Sequence, residues 1–314
     1  MRKALVTGGA GFIGSHLVRG LLERGDQVRV LDDFSTGKRE NLSEVLDRIE
    51  LVEGDICDAD TCRRACRGMD VVFHLAARGS VPLSVEHPAE TNRINVVGTL
   101  NMLIATRDAG IRRFVYSSSS SAYGDTPTLP KREDMRPLPV SPYAVSKLAG
   151  EMYAAAFARC YDMQTVSLRY FNVFGPRQDP NSQYAAAIPA FVSRMVRGER
   201  PVVFGDGEQT RDFCFVENVV RANLLAAEAP DVAGETMNIA CGERVSINRV
   251  IELINEYLGT DLPPVYEPPR PGDVRDSLAA LDEAKRVIGY EPQVFFAEGL
   301  KRSIEWYRQM TNDK

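Results

Sequence analysis

The sequence has 314 residues, of which 44% are hydrophobic and 26% charged, and its formal net charge is −5. Such a composition is typical of a globular chain with a sizeable core, and the acidic balance argues against nucleic acid or an anionic membrane as the main partner. No run approaches the roughly 20 apolar residues that cross a bilayer, and the N-terminus does not have the pattern of a signal peptide, so we expect a cytoplasmic protein without membrane association.

The first half of the chain alternates β-rich runs with helical patterns. The predicted strands span 3–8, 27–33, 49–55, 70–76, 112–118 and 165–170, and the predicted helices span 12–24, 59–67, 89–108 and 143–161. Most of these strands are nearly continuous apolar runs, as expected for parallel strands buried on both faces. The alternation predicts an α/β fold with a doubly wound parallel sheet of the Rossmann type.

The sequence pattern changes after about residue 172, where proline and glycine cluster between further helical patterns. Those helices are predicted at 184–197, 217–228, 246–258 and 296–310. We therefore predict a dinucleotide-binding domain over 1–171 and a smaller, mixed α/β substrate domain over 172–314. Some segments of residues 172–314 are expected to belong to the dinucleotide-binding domain in the folded structure.

The run VTGGAGFIGSHLV places Gly8, Gly11 and Gly14 between the first strand and the first helix. Glycines at this turn let backbone N–H groups approach a pyrophosphate, and the helix N-terminus that follows favours negative charge. The spacing alone could mark an ordinary tight turn. The strand before it and the amphipathic helix after it indicate the first unit of a dinucleotide-binding fold.

Carboxylates and small residues end the next three strands. Asp32 lies eighteen residues after Gly14, where a carboxylate accepts hydrogen bonds from the adenosine ribose and repels a 2′-phosphate, which favours NAD over NADP. Asp32 and Asp33 could instead be ordinary turn residues. Asp55 is placed to meet the adenine amino group, and Ala76 and Ala77 would let the backbone pass close to the cofactor.

Tyr143 and Lys147 are four residues apart, just after Pro142, and should share one face of the helix 143–161. A free tyrosine has a pKa near 10 and is a poor base at neutral pH, but a nearby ammonium favours the phenolate and lowers its pKa. Such a base can remove a hydroxyl proton while the same carbon is oxidised. A single pair of this kind is more often a surface pair, so its meaning depends on the serine-rich strand end upstream.

The combination of motifs resembles the extended short-chain dehydrogenase/reductase family, and within it the nucleotide-sugar 4-epimerases, nearly end to end. The motifs are TGGAGFIG, DDFSTG, GDI, HLAA, SSSSSAYG, SPYAVSK, RYFNVFGPRQ, GDGEQTRDF and RPGDVRDS. The resemblance implies NAD as cofactor, a UDP-sugar as substrate and an isomerase activity.

The resemblance also implies residue roles. It makes Tyr143 the catalytic base, Lys147 its activator and a ribose ligand, and Ser119 the hydroxyl that bonds the reacting sugar oxygen. The remaining cofactor-binding positions that it implies are Gly8, Gly11, Phe12, Ile13, Gly14, Asp32, Asp33, Ser35, Thr36, Gly37, Asp55, Ile56, Leu75, Ala76, Ala77, Asn95 and Phe171. The remaining substrate-binding positions are Gly79, Ser80, Ser120, Ser121, Asn172, Ala186, Ala187, Val203, Phe204, Arg211, Arg270, Asp273 and Ser277.

The type of reaction depends on the two residues after Ser119. In this family, dehydratases carry an Asp-Glu pair there and decarboxylases keep the glutamate, whereas this chain has Ser120 and Ser121. Serines cannot do carboxylate chemistry, so oxidation and re-reduction at C4 are favoured. A non-catalytic NAD(H)-binding regulator would be expected to lack Tyr143 or Lys147.

The sugar is expected to be N-acetylated, because Ser277 occupies a position at which a tyrosine narrows the pocket in glucose-restricted members of the family. A serine leaves room for a 2-acetamido group, which favours interconversion of UDP-GlcNAc and UDP-GalNAc, with some activity on UDP-glucose and UDP-galactose. A 4-epimerase restricted to the non-acetylated sugars is the alternative. An epimerase of hexuronic acids should have an extra cation near C6, and no loop clearly provides one.

The helices 89–108 and 143–161 carry apolar residues on more than one side, and in related enzymes these helices form a dimer interface. We therefore predict a homodimer, although deeper burial within one chain would give the same pattern. The six cysteines contain no paired C-x-x-C unit and are expected to be reduced core thiols, with no metal.

Overall fold

The computed structural model describes residues 1–179, 187–269 and 274–312. Its centre is a seven-stranded parallel sheet in the order β11-β6-β5-β4-β1-β2-β3, which confirms the predicted Rossmann-type fold. The strands are β1 Lys3–Thr7, β2 Gln27–Asp32, β3 Ile49–Glu53, β4 Val71–His74, β5 Arg113–Ser119, β6 Gln164–Tyr170, β7 Val173–Phe174, β8 Val202–Phe204, β9 Thr210–Arg211, β10 Cys214–Phe215, β11 Glu235–Ile239, β12 Val245–Ser246 and β13 Val265–Glu267.

Helices cover both faces of this sheet. They are α1 Phe12–Glu23, α2 Ala59–Cys66, α3 Val81–Glu86, α4 Pro88–Asn92, α5 Thr99–Asp108, α6 Pro142–Tyr161, α7 Ala187–Val196, α8 Val216–Glu228, α9 Ile247–Leu258, α10 Asp282–Ile288 and α11 Phe296–Asn312. Alternate residues of β1 show the two layers, because Ala4 and Val6 pack with α1 and α8 while Leu5 packs with α2, α5 and α6.

A second core lies between α7, α9 and α11. It is built around the ring of Phe174, which contacts the rings of Phe213, Phe215 and Phe296 at centroid distances of 5.4–6.1 Å, and Phe213 also stacks on Phe296 at 5.1 Å. The chain between 216 and 239 belongs to the central sheet, with α8 on one face and β11 paired to β6. The division at residue 171 stays a prediction.

The predicted helix 89–108 is not one continuous α-helix. It consists of α4, a π-helical stretch at Arg93–Gly98, and α5. Within that stretch the Asn95 side chain bonds outside its own helix, to Arg78 and Ser146, and Gly98 sits so close to Ile56 that a Cβ would lie 2.6 Å from Ile56 Cδ1. A π-helical stretch at such a position often marks a functional site.

Strand β11 was not among the predicted strands. Its sequence ETMNI is half polar and lacks the apolar run of a central strand. It forms the edge of the sheet, where Asn238 bonds to Tyr123 and to the Lys131 carbonyl instead of packing in the core. Sequence pattern alone also did not predict α3, α10, the short strands or the 3₁₀ segment Arg39–Arg48.

The prediction that the cysteines are core thiols was only partly correct. Cys62, Cys66, Cys214 and Cys241 are buried, whereas Cys57 is half-buried and Cys160 is exposed near the end of α6. Across 1–179, 187–269 and 274–312, no helix has both the length and the apolar content that a bilayer span requires. Location in the cytoplasm stays a prediction.

Candidate active site

The carboxyl ends of β1 to β4 surround a cavity of about 260 Å³, at the edge of the sheet where ligands bind in doubly wound folds. Most of the residues predicted to bind the cofactor meet at this cavity. They are Gly8, Gly11, Asp32, Asp33, Ser35, Thr36, Gly37, Asp55, Ile56, Leu75, Ala76 and Ala77.

The glycine turn leaves no room for side chains. Gly8 has φ +70°, and a Cβ on it would lie 2.7 Å from the Ala76 backbone nitrogen, while a Cβ on Gly14 would lie 2.1 Å from the Gly8 carbonyl oxygen. Helix α1 begins directly after Gly11, whose missing side chain leaves the first-turn N–H groups uncapped. The bare, positively polarised turn beside a cavity fits a pyrophosphate.

Asp32 is buried at the end of β2 and faces the same cavity. Its two oxygens accept the backbone N–H groups of Ala10 and Phe34, each at 2.9 Å, which fixes the carboxylate orientation. Gly37 packs against it so closely that a Cβ would lie 2.7 Å from Oδ1. Burial raises the pKa of Asp32, opposed by these two hydrogen bonds. Each oxygen retains a lone pair for a hydroxyl donor, so the residue fits a ribose.

Asp55 also lines the cavity, but its carboxylate already has two partners. It accepts the Cys57 backbone N–H at 2.8 Å and Nη1 of Arg93 at 3.1 Å. Sequence reasoning missed Arg93, together with other lining residues; these are Leu31, Gly54, Arg78, Glu90 and Ile94. Arg93 reads as a surface charge in the sequence, and only the fold brings it to Asp55.

Some of the predicted cofactor residues do not line this cavity, among them Phe12, Ile13, Asn95 and Phe171. Asn95 is buried, accepts the Arg78 backbone N–H at 2.7 Å and donates to Ser146 Oγ at 2.9 Å, so it fixes the Arg78 loop to α6. Phe171 is fully buried against Tyr123. Phe12 and Ile13 pack against hydrophobic cores at the start of α1.

The carboxyl end of β5 and the start of α6 bring together three predicted catalytic residues, which are Ser119, Tyr143 and Lys147. Pro142 occupies the first turn of α6 and the Ser141 hydroxyl caps it, accepting the Ala144 N–H at 3.2 Å. Tyr143 and Lys147 therefore share a face one turn apart. The Tyr143 hydroxyl is hydrogen-bonded to Ser119.

Close contact between α6 and β5 sets the position of Lys147. A Cβ on Gly150 would lie 2.2 Å from Tyr116 Oη, so only glycine lets the helix come this near to the strand. The Tyr116 hydroxyl donates to the Lys147 carbonyl at 3.3 Å, and the Lys147 Nζ lies 4.9 Å from the centre of the Tyr116 ring. Lys147 is thereby buried at the floor of the site.

The electrostatics of this group differ from the prediction. Burial raises the pKa of Tyr143, and the hydrogen bond to Ser119 only partly offsets that effect. Burial also lowers the pKa of Lys147 to about 8, opposed by the charge of Glu151. The expectation that Lys147 holds the pKa of Tyr143 below its usual value is therefore wrong for the protein alone, because desolvation dominates.

A second cavity, of about 410 Å³, lies among the loops of the C-terminal part of the chain. Phe204 and Arg211, both predicted to bind substrate, line it. Arg211 is held by its Nη1, which donates to the Arg275 carbonyl at 2.7 Å and to the Thr210 carbonyl at 3.0 Å. The other lining residues are Gly205, Asp206, Gln209, Glu267, Pro269, Val274 and Arg275.

Asn172 and Ser277 connect three loops near these cavities. Asn172 has φ +33°, and its amide nitrogen donates to the Asp212 carbonyl and to Ser277 Oγ, both at 3.0 Å. Ser277 is 9% exposed, and its hydroxyl also accepts the Asp212 N–H at 3.3 Å. The two side chains thus hold the loops together, a role that the sequence did not reveal.

The other predicted substrate residues occupy varied places. Gly79 borders open space and Ser80 caps α3, accepting the Leu83 N–H at 3.3 Å. Ser121 donates to Ser119 Oγ at 2.9 Å from the 3₁₀ turn Ser120–Tyr123. Ala187 is the first residue of α7 and Val203 is buried in β8. The remaining three, Ala186, Arg270 and Asp273, lie outside the described residues.

The sequence matches a family described as the NAD dependent epimerase/dehydratase family over residues 4–240. It is also 42% identical over 310 residues to a UDP-glucose 4-epimerase of Mycolicibacterium smegmatis, with 98% of both chains covered.

Two solved structures superimpose on the whole fold. One is a UDP-glucose 4-epimerase of Thermotoga maritima with UDP-glucose, at a TM-score of 0.94 and 43% identity. The other is a UDP-N-acetylglucosamine 4-epimerase of Methanobrevibacter ruminantium in complex with UDP-N-acetylmuramic acid, at a TM-score of 0.94 and 41% identity. Each of these two matches covers 98% of this chain and 99% of the chain in the solved structure.

Proposed function

Because the chain belongs to the NAD dependent epimerase/dehydratase family and uses NAD, we propose that it is a 4-epimerase of UDP-hexoses that acts through a transient 4-keto sugar. The meeting of Ser119, Tyr143 and Lys147 at the end of β5, the strand next to β4, carries this proposal, together with the cavity at the ends of β1 to β4. The names of the similar enzymes support it.

In the proposed reaction, Tyr143 takes the proton of the sugar O4 and later returns it. NAD, when bound, supplies the oxidation and the re-reduction of C4. Ser119 is hydrogen-bonded to the Tyr143 hydroxyl and can bond the same sugar oxygen, which fixes the path of the proton. The ammonium of Lys147, together with the positive charge of bound NAD, would favour the phenolate form of Tyr143 against the effect of burial.

The glycine turn and Asp32 would hold the pyrophosphate and the adenosine ribose of NAD. The cavity around Phe204 and Arg211 would hold the uridine diphosphate end of the substrate. An aromatic ring and a guanidinium are suitable partners for a base and a phosphate. Holding the nucleotide end leaves the 4-keto sugar free to turn over between oxidation and re-reduction.

Epimerisation is favoured over the other reactions of the family by Ser120 and Ser121. Dehydration needs an acid and a base beside the sugar to expel a C6 hydroxyl, and hydroxyl groups cannot supply them. Ser121 instead donates to Ser119 and so supports the residue that would bond O4.

The proposal is tested by incubating the purified protein separately with UDP-GlcNAc and with UDP-glucose and separating the products. The expected result is formation of the C4 epimer of at least one of them. Release of a dehydrated or decarboxylated sugar, or no reaction with either, would contradict it. Bound NAD that turns over no sugar would favour a regulator.

For the sugar, we propose UDP-GlcNAc and UDP-GalNAc as the preferred pair, with UDP-glucose and UDP-galactose also accepted. Ser277 supports this preference because its side chain is small at the position where glucose-restricted members of the family have a tyrosine. The similar enzymes include both a UDP-glucose and a UDP-N-acetylglucosamine 4-epimerase. Restriction to the non-acetylated pair is the alternative.

Replacing Ser277 with tyrosine should lower kcat/KM for UDP-GlcNAc at least about 10-fold more than for UDP-glucose, because the ring occupies space that the acetamido group needs. Competition assays with both sugars measure this ratio. Part of the loss will be common to both, since Ser277 also bonds Asn172 and Asp212.

Ser277→Ala is the matched control, because it removes those hydrogen bonds without adding volume. It should lower both activities to the same extent. Equal losses for both sugars in Ser277→Tyr would contradict the proposed role of this position.

We also propose a homodimer through the outer faces of α5, α6 and the π-helical stretch between α4 and α5. Val97, Val145 and Met152 are 43%, 53% and 56% exposed on these elements, whereas Leu103 and Phe157 are buried in the core. Large apolar side chains exposed together often mark an interface. Light scattering at micromolar concentration should give twice the chain mass, and Val145→Glu combined with Met152→Glu should give the mass of one chain.

A further inference from the structure

A buried ion pair lies directly behind the proposed catalytic residues. Glu151, one turn after Lys147 on α6, is bound by Arg169 of β6 through two hydrogen bonds: Nε to Oε1 at 2.9 Å and Nη2 to Oε2 at 2.7 Å. Both residues are 3% exposed. Removing one partner of such a pair leaves a buried charge unpaired, so the two side chains hold α6 and β6 in a fixed relation.

The same pair fixes both ends of the segment that carries Ser119. The Ser118 hydroxyl donates to Glu151 Oε1, and Ser118 is paired with Arg169 across β5 and β6. At the other end, the Arg169 guanidinium lies 4.6 Å from the centre of the Tyr123 ring. Tyr123 closes the 3₁₀ turn that follows Ser119, and its hydroxyl donates to Asn238 at 2.7 Å.

Several ionisable groups lie near Lys147, and Glu151 is the one whose negative charge acts on it. Tyr116 on β5 and His74 on β4 also face Lys147, and Tyr143 precedes it by one turn of α6. His74 is neutral, since burial and the charge of Lys147 lower its pKa to about 3. The negative charge of Glu151 therefore opposes the effect of burial on Lys147.

We propose that Glu151 and Arg169 are positioning residues, which set the place of Ser119 and hold a carboxylate one helical turn from Lys147, where it favours the ammonium form. The inference rests on the proposed function, because Ser119 and Lys147 matter only if they serve the reaction. The ion pair itself does not contact the cavity that would hold NAD.

The test removes both charges together, since Glu151→Gln alone leaves Arg169 unpaired and can fail to fold. The double variant Glu151→Met and Arg169→Met replaces the pair by apolar side chains of similar length, a change that folded proteins often tolerate. We expect kcat to fall about 10-fold or more, with KM for the UDP-sugar changed less than about 3-fold. The alkaline limb of the pH–kcat profile should move to lower pH by about 0.5 to 1 unit.

A second measurement does not depend on the sugar. Acetic anhydride labels only the free amine, so mass spectrometry of Lys147 over a pH series reports its protonation, with or without NAD. The pH of half-maximal labelling should be near 8 in the parent protein and about 0.5 to 1 unit lower in the double variant. If neither sugar is epimerised but this shift is found, the proposed function fails while the effect of the pair on Lys147 stands.

Thr165→Val is the matched control. Thr165 is buried on β6 and donates to the Ala154 carbonyl of α6 at 2.8 Å, so it joins the same helix and strand without a charge and away from Lys147. It should lower the melting temperature but leave both pH curves unchanged. A double variant with the parent's pH curves, or a control that shifts them equally, would overturn the proposal.

Discussion

Replacing Tyr143 with phenylalanine should lower kcat for C4 epimerisation by about 10³-fold, because the variant lacks the proposed base for the proton of the sugar O4. The ring stays, and the backbone N–H of Tyr143 still donates to Ser84 Oγ at 3.0 Å, so α6 should start in the same place. Loss of the hydroxyl removes one hydrogen bond, to Ser119. Single-turnover assays on the protein with bound NAD measure the chemical step directly.

Tyr161→Phe provides the matched control, since this tyrosine is on the same helix but 48% exposed at its far end. It should keep the parent rate. Melting temperatures of the two variants should be close to that of the parent protein. A Tyr143→Phe variant with more than about a tenth of the parent kcat would contradict the base assignment, because general base catalysis of this kind contributes at least 10²-fold.

The parts of the site that could be predicted depend on short-range patterns. The turn with Gly8 and Gly14 could be predicted because its strand, turn and helix are consecutive in the sequence. The structure shows why no side chain fits at these glycines. Tyr143 and Lys147 share a face because of helical spacing alone. Asp32 comes to the cavity because the carboxyl ends of parallel strands lie at one edge of the sheet.

Residues that act through distant partners could not be predicted. Glu151 reads as a charge on a helix surface and Arg169 as an irregular charge in an apolar strand, and only the packing of α6 against β6 brings them together. The pKa of Tyr143 was misjudged for a related reason. The sequence shows which charges are close to it along the helix but not how much water the fold excludes.

Asp212 is the strongest example of such a residue, and it follows Arg211 directly. It is fully buried, and its carboxylate accepts the backbone N–H groups of Cys241 at 2.9 Å and of Gly242 and Ala279 at 3.1 Å. A single side chain thus joins the loop after β11 to the segment that carries Ser277.

Asp212→Asn should lower the free energy of unfolding by about 2 to 5 kcal/mol, because the amide NH₂ cannot accept the N–H groups that one carboxylate oxygen accepts. Chemical denaturation measures this loss. Asp276→Asn is the control, since its partly exposed carboxylate accepts the Thr210 N–H at 3.0 Å and its loss leaves water as a replacement. The control should change stability by less than about 1 kcal/mol.

The pH dependence of the difference in unfolding free energy between the parent protein and Asp212→Asn provides a further check on the role of Asp212. Burial raises its pKa to about 6, more than the backbone hydrogen bonds lower it. Since the unfolded pKa is lower, the folded state binds the proton more tightly, and this group adds stability as pH falls from about 7 towards 4. Asparagine cannot take up that proton, so the stability difference between parent and Asp212→Asn should increase over the same range. A difference that shrinks towards pH 4 would mean that the hydrogen bonds, and not burial, dominate the pKa of Asp212.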